Sequence, residues 1–413
     1  YALAVLGLVE LYKTLELPLV EVLFGMEKEG FRIDLDILNE LNDKYSKELD
    51  SLIRQIIELA GKPFNVNSTK QLASVLFEDL GLKSGKKTKT GYSTNVEVLN
   101  AIKNQHPIIP LILRQRELAK LKSTYLDGML PLIDSKRKIH TVFKQTVTAT
   151  GRLSSTEPNL QNIPIRKAEG KQIRKMFIAS EGNKLVCADY SQIELRLMAQ
   201  FSGDETMIHA FNNNVDIHAT TASKVFGVPL EMVTADMRRQ AKAVNFGIIY
   251  GISDFGLSED LGIPVYKAKD FIASYFATYP KVKQYMDKCV EVAKEKGYVT
   301  TYLNRRREIP ELKSSNYNLR NFGERVAMNM PLQGSASDII KVAMLKVDEA
   351  LKKGGLKAKL IMQVHDELII DSPVGECEKV KELLVESMEN ITSDFSVKLI
   401  AECSVGDSWL EAK

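Results

Sequence analysis

The chain has 413 residues, of which 44% are hydrophobic, so it is long enough to bury a large core in two or three domains. Its 56 basic and 53 acidic residues leave a net charge of +3, which is too small to indicate a nucleic-acid partner by itself. No stretch approaches the roughly 20 uncharged apolar residues of a membrane helix, and the start of the chain lacks the layout of a signal peptide.

Two amphipathic stretches and a lysine-rich loop dominate the first third of the chain. Apolar residues three and four positions apart predict a long helix over 35–60 and a second one over 108–132. The loop between them, KSGKKTKTGYST, carries four lysines that we call the lysine tip: Lys83, Lys86, Lys87 and Lys89. The region 27–135 is therefore predicted to be a helical arm whose basic tip can press on phosphates. A solvated charged face is the alternative interpretation of the tip.

Three later segments predict strands. IHTVFKQTVTATGRLSS is rich in β-branched residues and predicts a strand followed by a turn at Gly151. KLVCADY predicts a strand buried on both faces, and LIMQVHDELIIDSP predicts a hairpin with His365 and Asp366 at its bend. Between 201 and 329 the pattern is mainly helical. These elements imply a small central sheet of sequence-distant strands with helical lobes on either side.

Acidic residues stand where two of these strands end. Asp189 follows KLVCA, and Asp366 lies at the hairpin bend with Glu367 beside it. Adjacent strands lie about 4.8 Å apart, so carboxylates on neighbouring strand ends can share two divalent ions. Oxygen ligands favour Mg²⁺, and such a site suits in-line phosphoryl displacement. The alternative for each acid alone is an ordinary turn residue or a helix cap.

A predicted helix over 238–251, RRQAKAVNFGIIYG, carries cations and aromatic rings on one face. The members of this basic stripe recur every four residues: Arg238, Lys242, Phe246 and Tyr250. Two cations followed by two aromatic rings suit a triphosphate at one end and a base and sugar at the other. The alternative is a surface helix with solvated cations and buried rings. Gly247 and Gly251 each cost about 1 kcal/mol in a helix relative to Ala and indicate close backbone approach or a hinge.

Five motifs together resemble a known family. DYSQIELR at 189–196, RRQAKAVNFGIIYG at 238–251 and QVHDE at 363–367 resemble the signature motifs of family A DNA polymerases, in the same order and at similar spacing. TATGRLSSTEPNLQNIPIR at 148–166 and ERVAMNMPLQGSASDIIK at 324–341 are similar to the bacterial DNA polymerase I branch of that family. The resemblance implies an α+β fold with the right-hand polymerase architecture, in which a small antiparallel palm sheet lies between helical thumb and fingers. The implied activity is template-directed addition of deoxynucleoside triphosphates to a primer 3′-OH by two-metal-ion nucleotidyl transfer, in DNA replication and repair.

The same resemblance implies a division of the chain. Its expected parts are a remnant of an exonuclease-like domain or linker with the start of the palm (1–26), the thumb (27–135), the first part of the palm (136–200), the fingers (201–328) and the second part of the palm (329–413). Because this sequence has neither the flap-nuclease region nor the 3′–5′ exonuclease-like region of that branch, we expect primer extension without editing. The expected partners are a primer–template DNA duplex and dNTPs, and the expected cofactor is two Mg²⁺ ions, which Mn²⁺ can replace. The cysteines form no CxxC pair, which favours a reducing compartment, and we expect a monomer in the bacterial cytoplasm, associated with the nucleoid.

The resemblance also implies the catalytic residues. Asp189 and Asp366 would hold the metal ions, aided by the backbone carbonyl of Tyr190, and Glu367 would be a supporting acid. Lys242 would protonate the departing pyrophosphate, because it is placed beside the charge that develops there.

A second set of residues is implied to bind the nucleotide: Gln192, Glu194, His218, Arg238, Lys242, Phe246 and Tyr250. The cations and His218 would hold the triphosphate, and the two aromatic rings would stack on the sugar and base. Glu194 would exclude ribonucleotides by blocking the 2′ position of the sugar. Ser191 followed by Glu194 three residues later also predicts a capping box at the start of a helix.

A third set is implied to contact DNA: Arg152, Asn159, Gln161, Arg325, Asn329, Gln333, His365 and the lysine tip. Side-chain donors near the primer end suit the minor-groove acceptors that all correct base pairs share, so they can sense pair shape without reading sequence. The alternatives are a phosphate contact or a solvated turn for Arg152 and a helix cap for Gln333.

Three other functions remain open at this point. A single-subunit RNA polymerase or a reverse transcriptase would share the two-carboxylate chemistry, but Glu194 and the flanking motifs favour deoxynucleotides. RNA templates are less strongly excluded, because backbone and minor-groove contacts do not strictly select DNA. A catalytically inactive DNA-binding clamp would be expected to lack Asp189, Asp366 or Lys242, and all three are present.

Overall fold

The computed structural model describes residues 2–83, 87–88, 91–165 and 167–413. Two members of the lysine tip, Lys86 and Lys89, therefore lie outside the described residues. The α-helices are α1 (Ala2–Val5), α2 (Val9–Leu11), α3 (Leu17–Glu29), α4 (Leu35–Ala60), α5 (Thr69–Ser74), α6 (Val96–Ala101), α7 (Ile108–Leu121), α8 (Ala168–Lys175), α9 (Ile193–Ser202), α10 (Glu205–Asn212), α11 (Ile217–Phe226), α12 (Ala235–Ile249), α13 (Asp254–Leu261), α14 (Val265–Thr278), α15 (Pro280–Lys296), α16 (Tyr317–Lys353) and α17 (Cys377–Glu389).

The strands are short apart from those of the central sheet. They are β1 (Phe31–Ile33), β2 (Lys87–Thr88), β3 (Gly91–Tyr92), β4 (Lys138–Ile139), β5 (Val142–Lys144), β6 (Ser154–Thr156), β7 (Phe177–Ile178), β8 (Asn183–Tyr190), β9 (Tyr298–Thr300), β10 (Arg306–Glu308), β11 (Lys359–Val364), β12 (Glu367–Pro373) and β13 (Ala401–Gly406). The segment predicted as one strand before Gly151 forms β4 and β5, and β5 pairs with β6 beyond the turn.

The central sheet has the strand order β11-β12-β8-β13, and all three pairings are antiparallel. Strand β8 is the predicted KLVCADY strand, and its middle residues from Leu185 to Ala188 are buried. Strands β11 and β12 form the predicted hairpin, joined by a turn at His365 and Asp366. An α+β fold with a small antiparallel sheet is confirmed, because helices α16 and α17 pack on this sheet.

The arm begins with α4, which has the bounds predicted from its periodicity. The Asp34 side chain accepts hydrogen bonds from the backbone N–H groups of Asp36 and Ile37, and Gly61 ends the helix in the left-handed conformation. The second predicted helix over 108–132 is α7 followed by a π-helical turn and a 3₁₀ turn. Helices α4 and α7 pack together, and the far part of the arm has its own hydrophobic core around Ile56 and Leu99.

Helix α16 has 37 residues and contains Pro331. Gln333 lies inside this helix, so the helix-cap alternative for Gln333 is wrong. The predicted boundary between fingers and palm at 328/329 also falls within α16, so one continuous helix joins the two predicted regions. Across the described ranges, no helix is both long and apolar enough to cross a membrane.

Candidate active site

Antiparallel pairing of β8 and β12 brings the predicted acids to one end of the central sheet. Asp189 near the end of β8 lies directly opposite Glu367, the first residue of β12. Asp366 is in the preceding turn, and its backbone carbonyl accepts a hydrogen bond from the Tyr190 N–H over 3.1 Å. Residues almost 180 positions apart in the sequence therefore form one group, here called the carboxylate rim: Asp189, Asp366 and Glu367.

The carboxylate rim concentrates negative charge in a poorly solvated place. Burial raises the pKa of Asp366 to about 7; Arg152 lowers it, whereas Glu194 and Asp189 raise it. Burial also raises the pKa of Asp189, where Lys413 acts in the opposite direction. Both shifts mean that the neighbouring cations compensate the ionised carboxylates only in part, so a further cation bound between them is favoured.

The oxygen atoms at this rim fit a magnesium ion. Among the residues that the structure describes, no three His, Cys, Asp or Glu side chains are grouped as a metal site. Magnesium commonly takes only one or two carboxylates and completes its shell with water and substrate phosphates, so two aspartates can suffice as its side-chain ligands. Lys413 places its ammonium 3.4 Å from Asp189 Oδ2 and 3.0 Å from Glu367 Oε2, so a positive group already lies where a cation is favoured.

Glu367 is held by three residues that were not predicted to belong to the site. Its Oε1 accepts a hydrogen bond from Trp409 Nε1 at 3.1 Å, and its Oε2 lies 3.0 Å from Lys413 Nζ. The buried Arg174 guanidinium lies 4.0 Å from the same oxygen and stacks on the Trp409 ring at 3.9 Å. With its carboxylate engaged in this way, Glu367 has the surroundings of a supporting acid.

Helix α12 carries the basic stripe. Thr234 begins the helix by accepting a hydrogen bond from the Met237 N–H, and the helix ends at Ile249, one residue before Tyr250. Arg238 Nε lies 2.6 Å from Asp216 Oδ2, in a pair that is largely exposed. Lys242 is exposed, with its Nζ 5.9 Å from the Phe246 ring. The stripe thus leaves its cations accessible along one face of α12.

Glu194 connects α12 to the region of the carboxylate rim. Its buried carboxylate lies 2.8 Å from Arg152 Nη2 and accepts a hydrogen bond of 2.9 Å from the Tyr250 hydroxyl. The predicted capping box is wrong: α9 begins at Ile193, and its N-cap residue is Gln192, which has a positive φ and makes no side-chain cap. The carboxylate is turned toward two distant partners instead.

His218 lies behind the basic stripe on α11. Only 2% of the residue is exposed, and its Nδ1 is 2.8 Å from the side-chain nitrogen of Asn245. Burial lowers the pKa of His218 to about 4, and the nearby Lys242 and Arg238 act in the same direction, while Asp216 opposes them. The imidazole is therefore neutral at neutral pH. It neighbours the predicted phosphate-binding cations without adding charge.

The family of the chain follows from comparison with known proteins. Residues 35–411 match the model of DNA polymerase family A. The chain belongs to this family. The resemblance drawn from the sequence motifs is thereby confirmed.

Three relatives show how the chain compares with other members of family A. It is 52% identical to DNA polymerase I of Caldicellulosiruptor bescii, with 98% of this chain and 47% of that protein aligned. It is 51% identical to DNA polymerase I of Bacillus subtilis, with 98% of this chain and 46% of that protein aligned. The chain spans about half the length of these two relatives. It also matches the POL domain of Pol1 from M. smegmatis in complex with DNA primer-template and dNTP, at 43% identity and a TM-score of 0.93, with coverage of 99% of this chain and 72% of that one.

The positions at which the family resemblance predicts DNA contacts fall into three places. Arg152, Gln161 and His365 line a small cavity together with Asp366. The Gln161 side-chain amide donates to Gln363, and Asn159 accepts a hydrogen bond from the Gln161 backbone N–H. This first group therefore lies beside the carboxylate rim.

The second group lies on α16, and its first member is beside the basic stripe. Arg325 lines an open cleft of about 500 Å³ together with Phe246 and Tyr250. Asn329 and Gln333 are half-buried farther along the helix, and the Asn329 side-chain nitrogen has no hydrogen-bond partner within the described part of the chain. Buried donors usually have a partner, so this unpaired nitrogen is an exception that calls for an explanation.

The third place is the lysine tip, of which the structure describes Lys83 and Lys87. Lys83 is exposed, and its backbone N–H donates to the Gln105 side chain. Lys87 lies in the β2–β3 hairpin on the arm. The described part of the tip therefore lies on the arm, apart from the catalytic group.

Sequence reasoning missed the cluster around Glu367. Arg174 is one of several basic residues between positions 166 and 175, and this local pattern does not indicate a contact with Glu367. Trp409 is the only tryptophan of the chain, but it lies 42 positions from Glu367 in the sequence, so its position did not indicate the contact. Nothing in the local pattern around Lys413 indicated that its side chain reaches a residue more than 200 positions away.

Proposed function

We propose that this chain is a template-directed DNA polymerase that adds dNTPs to the 3′-OH of a primer, acting as a monomer on a primer–template duplex. The observation that carries the proposal is the meeting of Asp189 and Asp366 at one end of the sheet. Glu194 links this end to the stripe of α12, because it contacts Tyr250 and raises the pKa of Asp366. A phosphate-binding face and a metal-binding group are thus parts of one site.

Membership of family A implies dependence on a divalent metal ion in general. We propose two Mg²⁺ ions, replaceable by Mn²⁺, held by Asp189, Asp366 and the Tyr190 carbonyl. Bound there, they would lower the pKa of the attacking 3′-hydroxyl and compensate the charge of the leaving pyrophosphate. Glu367 supports this group from within its own cluster of partners.

The residues of α12 bind and orient the triphosphate in this proposal. Lys242, which has no ion pair among the described residues, is free to bind phosphate oxygens and to donate a proton to the departing pyrophosphate. Arg238 must exchange Asp216 for phosphate, and this costs little because exposed ion pairs contribute about 1 kcal/mol or less. Phe246 and Tyr250 stack on the new base pair, beside the cleft that they line together with Arg325.

The proposed division into lobes follows the described elements. The arm built on α4 and α7 is the thumb, helices α10–α15 form most of the fingers, and the central sheet is the palm. The lysine tip would then grip duplex phosphates away from the catalytic group, and binding would weaken steeply with salt. Because α16 continues across the predicted boundary between fingers and palm, a movement of the fingers also moves the part of this helix that lies in the palm.

Primer extension tests the proposal directly. We expect Asp189→Ala and Asp366→Ala each to lower synthesis on the order of 10³-fold or more, because each removes a metal ligand. Asp407→Ala is the matched control: this exposed acid follows β13 and pairs with Lys184 away from the carboxylate rim. Synthesis that persists in both aspartate variants contradicts the proposal.

The same assay distinguishes the alternatives. Reactions with dNTPs or rNTPs, on DNA or RNA templates, with Mg²⁺ or with chelator, give a different pattern for each function. Products from rNTPs would indicate an RNA polymerase, and equal extension on an RNA template would indicate a reverse transcriptase. DNA binding without any metal-dependent synthesis would indicate a clamp.

A further inference from the structure

Residues 407–413 fold back beside the central sheet in a fixed conformation. The Asp407 carbonyl accepts a hydrogen bond from the Ala179 N–H at 3.0 Å, and the Trp409 N–H donates to the Phe177 carbonyl at 2.8 Å. The Trp409 side chain is fully buried and packs edge-on against Phe177. A Cβ at Gly406 would lie 2.6 Å from the backbone nitrogen of Ala412, so this turn requires the absence of a side chain there. The segment therefore holds Lys413 at the carboxylate rim.

The two carboxylates that Lys413 contacts differ in their other partners. Glu367 also has the Trp409 hydrogen bond and the neighbouring Arg174 guanidinium. For Asp189, Lys413 is the only ion-pair partner in the described part of the chain. Arg174 is buried, whereas the Lys413 side chain is 31% exposed. One cation near Glu367 is thus permanent, and the cation at Asp189 can move away.

We propose that Lys413 is a positioning residue that serves as the exchangeable counter-ion of Asp189, so that a divalent ion must displace its ammonium from Asp189 when it binds. This inference rests on the proposed function, because it takes Asp189 as a metal ligand. In the metal-free protein the ammonium compensates the buried charge and keeps the two carboxylates from repelling each other. On metal binding it leaves Asp189 and keeps Glu367 as its partner.

A lysine that competes with the metal and a lysine that only anchors the segment predict different effects of its removal on metal affinity. If Lys413 competes with the metal, removing its charge strengthens metal binding, because nothing has to be displaced and a nearby positive charge is lost. If Lys413 only anchors the segment 407–413, removing it destabilises the protein with and without metal and leaves metal affinity unchanged.

The test measures Mn²⁺ binding to the full chain without DNA or nucleotide. Free Mn²⁺ is counted by electron paramagnetic resonance, and the fluorescence of Trp409, the only tryptophan and a partner of Glu367, reports events at the rim. We expect Lys413→Met to bind Mn²⁺ about threefold to tenfold more tightly, in keeping with a partly exposed ion pair. Lys413→Arg should restore the wild-type affinity. Lys353→Met is the matched control, because it breaks an exposed ion pair with Glu349 and involves no residue of the rim or of the segment 407–413.

A second measurement separates competition from anchoring. We expect the rise in melting temperature between chelator and saturating Mn²⁺ to be larger for Lys413→Met than for the wild type, because tighter binding adds stability. Equal or weaker Mn²⁺ binding by Lys413→Met overturns the proposal.

Asp189→Asn distinguishes this failure from failure of the proposed function. If Asp189→Asn retains the Mn²⁺ site, the metal binds elsewhere and the proposed function loses its basis. If Asp189→Asn loses the site while Lys413→Met binds as the wild type does, only the role of Lys413 is refuted.

Discussion

The contact between Glu194 and Tyr250 allows a quantitative test of how the site is held together. Glu194 is only 6% exposed and accepts the Tyr250 hydroxyl at 2.9 Å while it pairs with Arg152 at 2.8 Å. A hydrogen bond to a charged group contributes about 1.5–3 kcal/mol. We expect Tyr250→Phe to cost about 1.5 kcal/mol, since Glu194 keeps Arg152. Glu194→Ala should cost about 3 kcal/mol, because both partners lose their acceptor.

A double-mutant cycle isolates the bond. With Glu194→Ala, Tyr250→Phe and the double variant, the coupling energy should be about 1.5 kcal/mol, measured by urea denaturation. Tyr302→Phe is a matched control, since its hydroxyl donates to Asp394 in an exposed pair and its loss should cost about 0.5 kcal/mol or less. A coupling energy below about 0.5 kcal/mol would show that Glu194 and Tyr250 do not act together.

The same variants test the predicted exclusion of ribonucleotides. Single-nucleotide incorporation gives kcat/KM for a dNTP and the matching rNTP, and their ratio measures discrimination. We expect Glu194→Ala to lower this ratio roughly 10²-fold, since the carboxylate no longer blocks the 2′ position. Tyr250→Phe should have a smaller effect, because the carboxylate remains but loses one tether. Unchanged discrimination in a folded Glu194→Ala variant would refute the assignment.

Three further predictions concern other parts of the chain. On folding, the pKa of His218 falls from 6.5 to about 4, so between these values only the unfolded state binds a proton, and stability that is present above pH 6.5 is lost as the pH falls. Between pH 7 and pH 4.5 we therefore expect the free energy of unfolding of His218→Gln, measured by urea denaturation, to fall by about 2 kcal/mol less than that of the wild type. Equal pH dependence would contradict this. Gly251→Ala should destabilise the protein more than Gly262→Ala. Both glycines have a positive φ, but only at Gly251 would a Cβ lie 2.9 Å from the side chains of Arg325 and Met328. Equal losses of stability would exclude strain against α16. Replacing the lysine tip with glutamine should shorten the DNA made per binding event and flatten the salt dependence, and an unchanged run length would refute its role.

Strong local signals predicted the elements that position the site. The helix over 35–60 has the predicted bounds because Asp34 caps its start, Gly61 ends it, and its periodicity continues without a break between them. The hairpin at 359–373 could also be predicted, because two apolar runs flank His365 and Asp366. In these segments the local preference of the chain and its tertiary packing favour the same structure.

Side-chain partners could not be predicted, because distant residues decide them. Ser191 and Glu194 have the spacing of a capping box, yet Glu194 is turned toward partners 42 and 56 positions away. Two charge-assisted hydrogen bonds in a buried place outweigh one helix cap, which contributes about 1 kcal/mol. The contact of Lys413 with Asp189 likewise depends on strand order, which periodicity does not encode.

The ion pairs of the site differ in exposure, and this difference indicates which of them ligands can replace. Arg238 and Asp216 are 46% and 41% exposed, so phosphate can exchange with the carboxylate at a cost of about 1 kcal/mol or less. Glu194 is buried with Arg152, and leaving its carboxylate unpaired would cost several times more, so this pair should persist when nucleotide binds. Lys413 lies between these two cases, because it can leave the carboxylate of Asp189 while it keeps that of Glu367. In the proposed function, substrate and metal binding therefore proceed by exchange of the exposed pairs, while the buried pair holds the geometry into which they bind.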